Sequence, residues 1–203
     1  SESLLSLAVS KSGKIAAGGS GKKLYVSKNN SDISINNDII FDDFSFESTL
    51  TDVIFINEKI ICVRLLNNQI WYCDLESKNK VLLYSKKLKR KERLELVNQS
   101  KKHHEKLTFV NKKKSMFFVS KDKLVEYNLL KKKTIEINFD DLENNEGIED
   151  IEYNSKEHII ITTSFGNIIY YNIESKIHKK IMGEEFRITN DDKIVHIEIY
   201  ENI

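Results

Sequence analysis

Short apolar runs separated by polar turns follow one another along most of the chain. Four of them lie at 53–56, 60–63, 70–73 and 81–84. They are about the length of a β-strand, and the turn residues Asn57-Glu58 and Asn67-Asn68 stand between them, which is typical of strands joined by tight turns. The inner runs are continuously apolar, whereas outer runs such as 33–35 alternate with polar residues, as in a strand that meets water on one side. The pattern predicts an all-β protein.

The four-run pattern repeats along the chain. Units are predicted at about 4–43, 50–84, 106–138 and 148–182, and a final strand at 194–200 either begins a fifth unit or completes the first. The other predicted strands are 6–9, 14–17, 24–26, 107–110, 116–119, 124–127, 134–137, 148–153, 158–163, 167–171 and 177–181. Gly18, Gly19 and Gly21 are interpreted as a strand-to-strand turn with positive φ. A phosphate-binding loop is disfavoured because no Lys-Ser/Thr pair or helical pattern follows.

Each later unit carries Asp or Asn at the end of its third strand. These residues are Asp74, Asn128 and Asn172, and the spacings between them are 54 and 44 residues. A period of roughly 40–45 residues with four strands per unit is typical of a β-propeller blade. Tyr127 and Tyr171 precede the two Asn residues and are predicted to occupy equivalent, half-buried positions.

The segment 163–173, with its Gly166 turn and its Tyr171-Asn172 ending, resembles the WD40 repeat, whose third strand ends in Trp-Asp. Tyr127-Asn128 and Cys73-Asp74 fill the same place in other units. The repeats are degenerate, because the Gly-His pair and the buried Asp–His–Ser/Thr–Trp set are absent and Trp71 lies two positions early. The resemblance implies a single WD40-like β-propeller domain or propeller fragment over residues 1–203.

Four or five units would form a small ring, because propellers usually have 4–8 blades. We therefore expect a small closed ring, or a ring completed by missing segments or by a partner chain. The strand at 194–199 is expected to pair with the 4–43 sheet or with a sheet from a partner, since an isolated edge strand exposes unpaired backbone groups.

Composition narrows the function classes. Apolar residues make up 40% of the chain and charged residues 31%, which is the composition of a globular protein. The net charge is only +1, so the chain as a whole does not attract nucleic acid electrostatically. No apolar run approaches the roughly 18 residues of a membrane helix, and no signal-peptide pattern opens the chain, so a cytoplasmic or nuclear location is expected. Cys62 and Cys73 lie on neighbouring strands of one hairpin, and two buried thiols are favoured over a disulfide.

Motifs for catalysis, cofactors and metals are missing from the sequence, which predicts a non-enzyme without a cofactor. His103 and His104 are adjacent in a lysine-rich loop, but no Cys or carboxylate stands at ligand spacing, so a solvated loop is favoured over a metal site.

Two charged segments are candidate contact sites. The basic one is a candidate RNA or anion contact, although it lacks aromatic residues for base stacking and a solvated loop is favoured. Its residues are Lys86, Lys87, Lys89, Arg90, Lys91, Arg93, Lys101, Lys102 and Lys106. The acidic one is a candidate docking patch or a solvated connection, because its spacing does not fit a calcium loop. Its residues are Asp140, Asp141, Glu143, Glu146, Glu149 and Asp150.

The sequence thus predicts a non-catalytic scaffold subunit that mediates protein–protein interactions in a complex. The alternative is an RNA-associated propeller subunit, in ribosome assembly or beside an RNA-modifying enzyme, that uses the basic segment.

Overall fold

A computed structural model describes residues 3–27, 41–86, 106–120, 123–144, 146–154 and 157–181. The chain divides into two compact units, Ser1–Lys102 (unit 1) and His103–Ile203 (unit 2). The described part of each unit contains two four-stranded antiparallel sheets, whose strands follow one another in chain order. Short turns allow this arrangement, because antiparallel neighbours need only a tight hairpin connection.

Unit 1 contains sheets 1 and 2. Sheet 1 is formed by β1 (Leu4–Val9), β2 (Ile15–Gly19), β3 (Lys23–Ser27) and β4 (Phe41–Ser45). Sheet 2 is formed by β5 (Leu50–Asn57), β6 (Ile60–Leu65), β7 (Gln69–Asp74) and β8 (Lys80–Ser85). The core between them contains Ala16, Leu24, Val26, Phe44, Phe46, Leu50, Val53, Ile61, Val63, Leu65 and Cys73.

Unit 2 contains sheets 3 and 4. Sheet 3 is formed by β9 (Leu107–Val110), β10 (Ser115–Val119), β11 (Leu124–Asn128) and β12 (Lys133–Ile137), with a 3-10 turn at Asn111–Lys113. Sheet 4 is formed by β13 (Ile148–Asn154), β14 (His158–Thr163), β15 (Ile168–Asn172) and β16 (His178–Ile181). The core between them contains Val110, Phe117, Leu124, Phe139, Ile148, Ile151, Ile159, Ile161, Ile169, Tyr171 and Ile173.

The third strands of sheets 2, 3 and 4 share one register. Cys73 pairs with Ile61, Tyr127 with Met116, and Tyr171 with Ile159. Tyr127 and Tyr171 are 7% and 2% exposed, so they are more deeply buried than the sequence predicts. Their equivalence is confirmed, since each precedes the Asn that ends its strand.

Sheet 1 differs from the prediction at its outer strand. The fourth strand is Phe41–Ser45 and pairs with β3, whereas the predicted strand 33–35 lies outside the described residues. Because sheet 1 has four strands from one stretch of chain, it does not need residues 194–200 as a fourth strand. Those residues also lie outside the described part, and their pairing stays a prediction.

The predicted glycine turn is wrong in detail. Gly18 and Gly19 belong to β2, and the residue with positive φ in the following turn is Lys22, at 59°. A Cβ on Gly19 would lie 1.9 Å from the carbonyl oxygen of Ser3, and one on Gly18 would lie 2.6 Å from the side chain of Leu50. These glycines are therefore explained by close packing rather than by turn conformation.

Candidate protein-interaction surfaces

The acidic segment separates into a buried half and an exposed half. Glu146, Glu149 and Asp150 are 4%, 9% and 1% exposed, so they do not contribute to a docking surface. Asp140, Asp141 and Glu143 are exposed. Glu149 and Asp150 are buried because they belong to the inner strand β13, and Glu146 lies two residues before that strand begins.

Glu146 lies at the centre of a buried polar network. Its Oε1 accepts hydrogen bonds from Thr163 Oγ1 and, at 2.7 Å, from Asn167 Nδ2. Its Oε2 accepts from Lys180 Nζ and from the Glu143 backbone N–H, both at 2.9 Å. Burial acts to raise the pKa of Glu146, but the hydrogen bonds, led by those from Asn167 and Thr163, lower it to about 2. Through these hydrogen bonds, the Glu146 carboxylate connects the loop before β13 to the turn between β14 and β15.

Asp141 is held by two basic residues of β16. Its Oδ1 lies 2.7 Å from His178 Nε2, and its backbone oxygen accepts a hydrogen bond from Lys180 Nζ at 3.0 Å. The exposed acidic residue thus already has basic neighbours within its own sheet. Glu143 also has a basic neighbour, since its Oε1 lies 3.9 Å from Lys180 Nζ. A docking role for the exposed residues Asp140, Asp141 and Glu143 stays a prediction.

Lys106 and Asp150 come from the two oppositely charged predicted segments, yet they contact each other. Lys106 Nζ lies 3.5 Å from Asp150 Oδ2 and 3.4 Å from Glu152 Oε2. Burial raises the pKa of Glu152, against the attraction of Lys106. Lys106 therefore joins β13 to the start of β9 and is not a free cation for an RNA phosphate.

The rest of the basic segment falls mainly outside the described residues. These are Lys87, Lys89, Arg90, Lys91, Arg93, Lys101 and Lys102, together with His103 and His104. Lys86, which directly follows β8, is described and half-buried. Nucleic-acid contact by these residues stays a prediction.

A second lysine cluster, in the turn between β9 and β10, is paired with sheet 4. Lys112 Nζ lies 2.6 Å from Glu157 Oε1, and Lys113 Nζ lies 3.5 Å from Glu174 Oε2. Lys113 Nζ also donates to the Ile173 carbonyl at 2.5 Å. This lysine-rich turn therefore connects neighbouring sheets.

The recurrent Asp and Asn residues have a turn-forming role that the sequence analysis missed. Asp74 Oδ1 accepts from the N–H groups of Glu76 and Ser77, and Asn172 Oδ1 accepts from those of Glu174 and Ser175. Asn128 Oδ1 accepts from the N–H of Lys131. Such Asx contacts fix the turn into the fourth strand. Four residues after each of them stands a lysine with positive φ: Lys78 at 58°, Lys132 at 50° and Lys176 at 59°.

In each unit, a phenylalanine from the connection between the two sheets packs against an aromatic ring and a basic residue of the second sheet. We call this contact the aromatic clasp. In unit 1, Phe46 contacts Trp71 edge-on, with ring centroids 6.0 Å apart, and Lys80 Nζ lies 4.7 Å from the Phe46 centroid. In unit 2, Phe139 contacts Tyr171 and His178 edge-on, at 5.9 and 5.0 Å. Lys80 pairs with Cys73 and His178 pairs with Tyr171, so the two basic residues occupy equivalent positions.

Sheets 1 and 2 are also joined through a carboxylate. Glu58, in the turn between β5 and β6, accepts from Ser10 Oγ at 2.9 Å, from the Ser12 N–H at 3.0 Å and from the Ser12 hydroxyl. The Ser12 hydroxyl is the main cause of a lowered pKa for Glu58. This contact fixes the turn between β1 and β2 against sheet 2.

The cysteines are two buried thiols. Burial raises the pKa of both, that of Cys73 to about 12. A thiol with a raised pKa is a poor nucleophile, so both residues act as core side chains.

Within the described ranges, no three His, Cys, Asp or Glu side chains are grouped so as to hold a metal ion. A search of the same residues finds no helix long and apolar enough to cross a membrane.

Several large apolar side chains are exposed. In unit 2, Leu130, Ile177 and Phe165 lie in turns and are 78%, 68% and 52% exposed. In unit 1, Val81 on the outer strand β8 is 55% exposed, and β1 carries a further set. A protein partner that covered these side chains would remove apolar surface from water.

No family model matches the sequence, and no curated protein matches it. Solved structures do match the fold. One is the β-propeller domain of Cps50 (Swd1) from Myceliophteria thermophila, with a TM-score of 0.56 and 12% identity, over 83% of this chain and 51% of that one. Another is U3-55K, with a TM-score of 0.60 and 10% identity, over 85% of this chain and 47% of that one.

These matches confirm the predicted fold class. Each four-stranded antiparallel sheet corresponds to one blade of the β-propeller fold. The chain spans about half the length of the solved structures that it matches. At this level of identity the similarity establishes the fold alone.

Proposed function

We propose that the chain is a non-catalytic scaffold subunit that mediates protein–protein interactions within a multiprotein complex. The observation that carries this proposal is a pair of exposed apolar side chains in equivalent turns. Leu130 lies two residues after Asn128 and is 78% exposed, and Ile177 lies five residues after Asn172 and is 68% exposed. Apolar side chains at turns gain free energy when a partner removes them from water. The propeller fold supports the same proposal, because its rigid sheets present turns at fixed positions.

The buried polar side chains make their contacts within their own unit, which supports a binding role for the chain. Glu146 and Asp150 are buried and hydrogen-bonded or ion-paired to residues of their own unit. The buried thiols have raised pKa values. These groups therefore stabilise the blades.

A double substitution of the two turns tests the scaffold function. Leu130→Ser with Ile177→Ser is compared with Lys131→Ser with Lys176→Ser, which changes exposed polar residues of the same two turns. Tagged chains are purified from cells, their partners are quantified by mass spectrometry, and the mass of the complex is measured by light scattering. We expect stoichiometric protein partners with the native chain and the polar control, and their loss from the apolar double variant. A native chain that recovers no stoichiometric protein partner would contradict the proposal.

The RNA-associated function is the second candidate, and the dense basic segment between β8 and β9 favours it. Since Lys106 is ion-paired, the contact would rest on Lys86 to Lys102. Charge reversal of Lys89, Arg90, Lys91 and Arg93 to Glu should weaken RNA binding and flatten its dependence on salt. An unchanged affinity and salt slope would rule this function out.

A further inference from the structure

One edge of unit 2 carries both of the turns that follow the third strands of its sheets, at 129–132 and 173–177. The turn between β9 and β10 contacts both of them. The first N–H of the 129–132 turn donates to the Lys114 carbonyl at 2.9 Å, and Lys113 Nζ donates to the Ile173 carbonyl at 2.5 Å. The three turns therefore lie together, and we call this surface the turn edge of unit 2.

Packing of a further sheet would not cover the apolar side chains of this edge. Sheets 3 and 4 contact each other through their faces, with an apolar core between them, while Leu130 and Ile177 in the turns remain exposed. A sheet added beside either one would pack in the same way, on a face. The turn edge is therefore open to a separate partner.

Four exposed lysines flank the two apolar side chains. They are Lys131, Lys132, Lys133 and Lys176. The carboxylates of the same edge are already paired with other lysines, since Lys112 Nζ lies 2.6 Å from Glu157 Oε1 and Lys113 Nζ lies 3.5 Å from Glu174 Oε2. In the described part of the chain, none of the four flanking lysines makes an ion pair. The turn edge therefore combines exposed apolar groups with an excess of positive charge.

The corresponding turn of unit 1 is different. It carries Glu76, Ser77 and Lys78, and Glu76 Oε1 lies 2.8 Å from Lys59 Nζ. The apolar residue of this turn, Leu75, packs against the core. The fold therefore does not require an exposed apolar side chain or an excess of lysine at this place, which indicates that both serve a contact in unit 2.

We propose that the turn edge of unit 2 binds an acidic segment of a partner protein, in which Asp or Glu residues flank one or two large apolar side chains. The proposal rests on the scaffold function proposed above and names the chemistry of its partner. The apolar side chains of the segment cover Leu130 and Ile177, and its carboxylates pair with the four flanking lysines. Lys112 and Lys113 already make such pairs with glutamates of the chain itself.

A phosphate-rich ligand fits this edge less well. Phosphates would pair with the lysines but would leave Leu130 and Ile177 in water. The two turns contain no aromatic residue on which a base could stack. Carboxylates next to apolar side chains match both features of the edge.

A peptide selection tests the proposal without a known partner. A phage library of random 12-residue peptides, each roughly 40 Å long when extended, is panned on the immobilised native chain, and the selected peptides are sequenced. We expect enrichment of Asp and Glu together with Leu, Ile or Phe. Dissociation constants of the synthetic peptides, measured by fluorescence anisotropy, should rise with salt because salt screens exposed charges.

Charge reversal tests the lysines directly. The triple variant Lys131→Glu, Lys132→Glu and Lys133→Glu should weaken peptide binding at least about tenfold, because attraction becomes repulsion. Its matched control is Lys11→Glu, Lys22→Glu and Lys78→Glu, which changes the net charge equally at exposed lysines of unit 1 and should leave the affinity unchanged.

The apolar contribution is tested with the same peptides. Leu130→Ser with Ile177→Ser should weaken their binding at least about tenfold, because the apolar contacts are lost. Lys131→Ser with Lys176→Ser should weaken binding less than about tenfold and leave the complex stoichiometric, because two lysines remain and exposed ion pairs each contribute little. Thermal unfolding of each variant shows whether it is folded.

Several results would overturn the proposal. They are a selection that yields no peptide, selected peptides without acidic residues, and acidic peptides that bind the triple variant as tightly as the native chain. Binding of a labelled 12-nucleotide RNA or of phosphatidylserine vesicles at this edge, in place of the peptides, would also overturn it. The scaffold function would survive each of these results if stoichiometric protein partners were still recovered from cells.

Discussion

The ring of Phe139 meets the imidazole of His178 edge-on, with ring centroids 5.0 Å apart and planes at 87°. Phe139 lies in the connection between sheets 3 and 4, and His178 opens the outer strand of sheet 4. The same ring also contacts Tyr171 of the third strand. Phe139 therefore packs the connection between the sheets against two strands, β15 and β16. Phe46 makes the corresponding contacts with β7 and β8 in unit 1.

Removing the Phe139 ring should destabilise unit 2. Phe139→Ala is expected to lower the free energy of unfolding by about 3–5 kcal/mol, because a 5% exposed ring is lost and a cavity remains. His178→Ala should cost less, about 0.5–1.5 kcal/mol, since it removes one edge-on ring contact and a partly exposed contact with Asp141.

Chemical denaturation of the two variants measures these losses. Phe165→Ala serves as the control, because that ring is 52% exposed and its removal should cost about 0.5 kcal/mol or less. Equal small losses for Phe139→Ala and Phe165→Ala would show that the clasp does not stabilise the sheet.

The Glu146 network should make unit 2 sensitive to acid. The carboxyl has a pKa of about 2 in the folded chain and 4.5 as its ordinary value, so its stabilisation is complete above pH 4.5. It is lost as the pH falls from there towards 2, because the unfolded chain binds the proton more readily. With allowance for solvent screening, the contribution is about 2 kcal/mol.

Glu146→Gln should remove this contribution and take from the buried Lys180 charge the nearer of its two carboxylate partners. The unfolding free energy, measured by denaturant titration at several pH values between 2.5 and 7, should be lower at neutral pH and flatter below pH 4.5. Asp140→Asn, which changes an exposed carboxylate of the same connection, is the control. A Glu146→Gln variant with the native acid dependence would contradict the assignment.

The strands were predictable because their signal is local. Apolar runs such as 158–163 and 107–110 coincide with β14 and β9, since alternation and turn residues lie within a few positions of each strand. Glu146 was not predictable, because Thr163 and Lys180 lie 17 and 34 residues away and only the folded sheet brings them together. An acidic residue in an acidic run has the sequence pattern of a surface residue.

One site feature was visible in the sequence and was missed. Asp74, Asn128 and Asn172 are each followed by Leu or Ile and then, at the fourth position, by Lys. Since lysine is common throughout the chain, the repeat does not stand out from composition. Its meaning became clear only with the side-chain contacts and the positive φ angles.

The equivalent tyrosines of the third strands should contribute similar amounts of stability. Tyr127→Ala and Tyr171→Ala are each expected to cost about 3–5 kcal/mol, because both rings are buried. Tyr170→Ala, a half-buried neighbour on the opposite face, should cost less. Thermal unfolding of the three variants decides this, and losses under about 0.5 kcal/mol at both buried positions would disprove the register.

The left-handed lysines offer a stabilising change. Lys132 and Lys176 have φ values of 50° and 59°, a region where a side chain is strained and glycine is not. Lys132→Gly and Lys176→Gly should each raise the unfolding free energy by about 0.5–1 kcal/mol, as relief of strain exceeds the added entropy of the unfolded chain. Lys131→Gly is the matched control, because Lys131 lies in the same turn without a positive φ and should lose stability. Denaturant midpoints of the three variants measure the effect, and a loss at all three positions would show that the turns are not strained at these lysines.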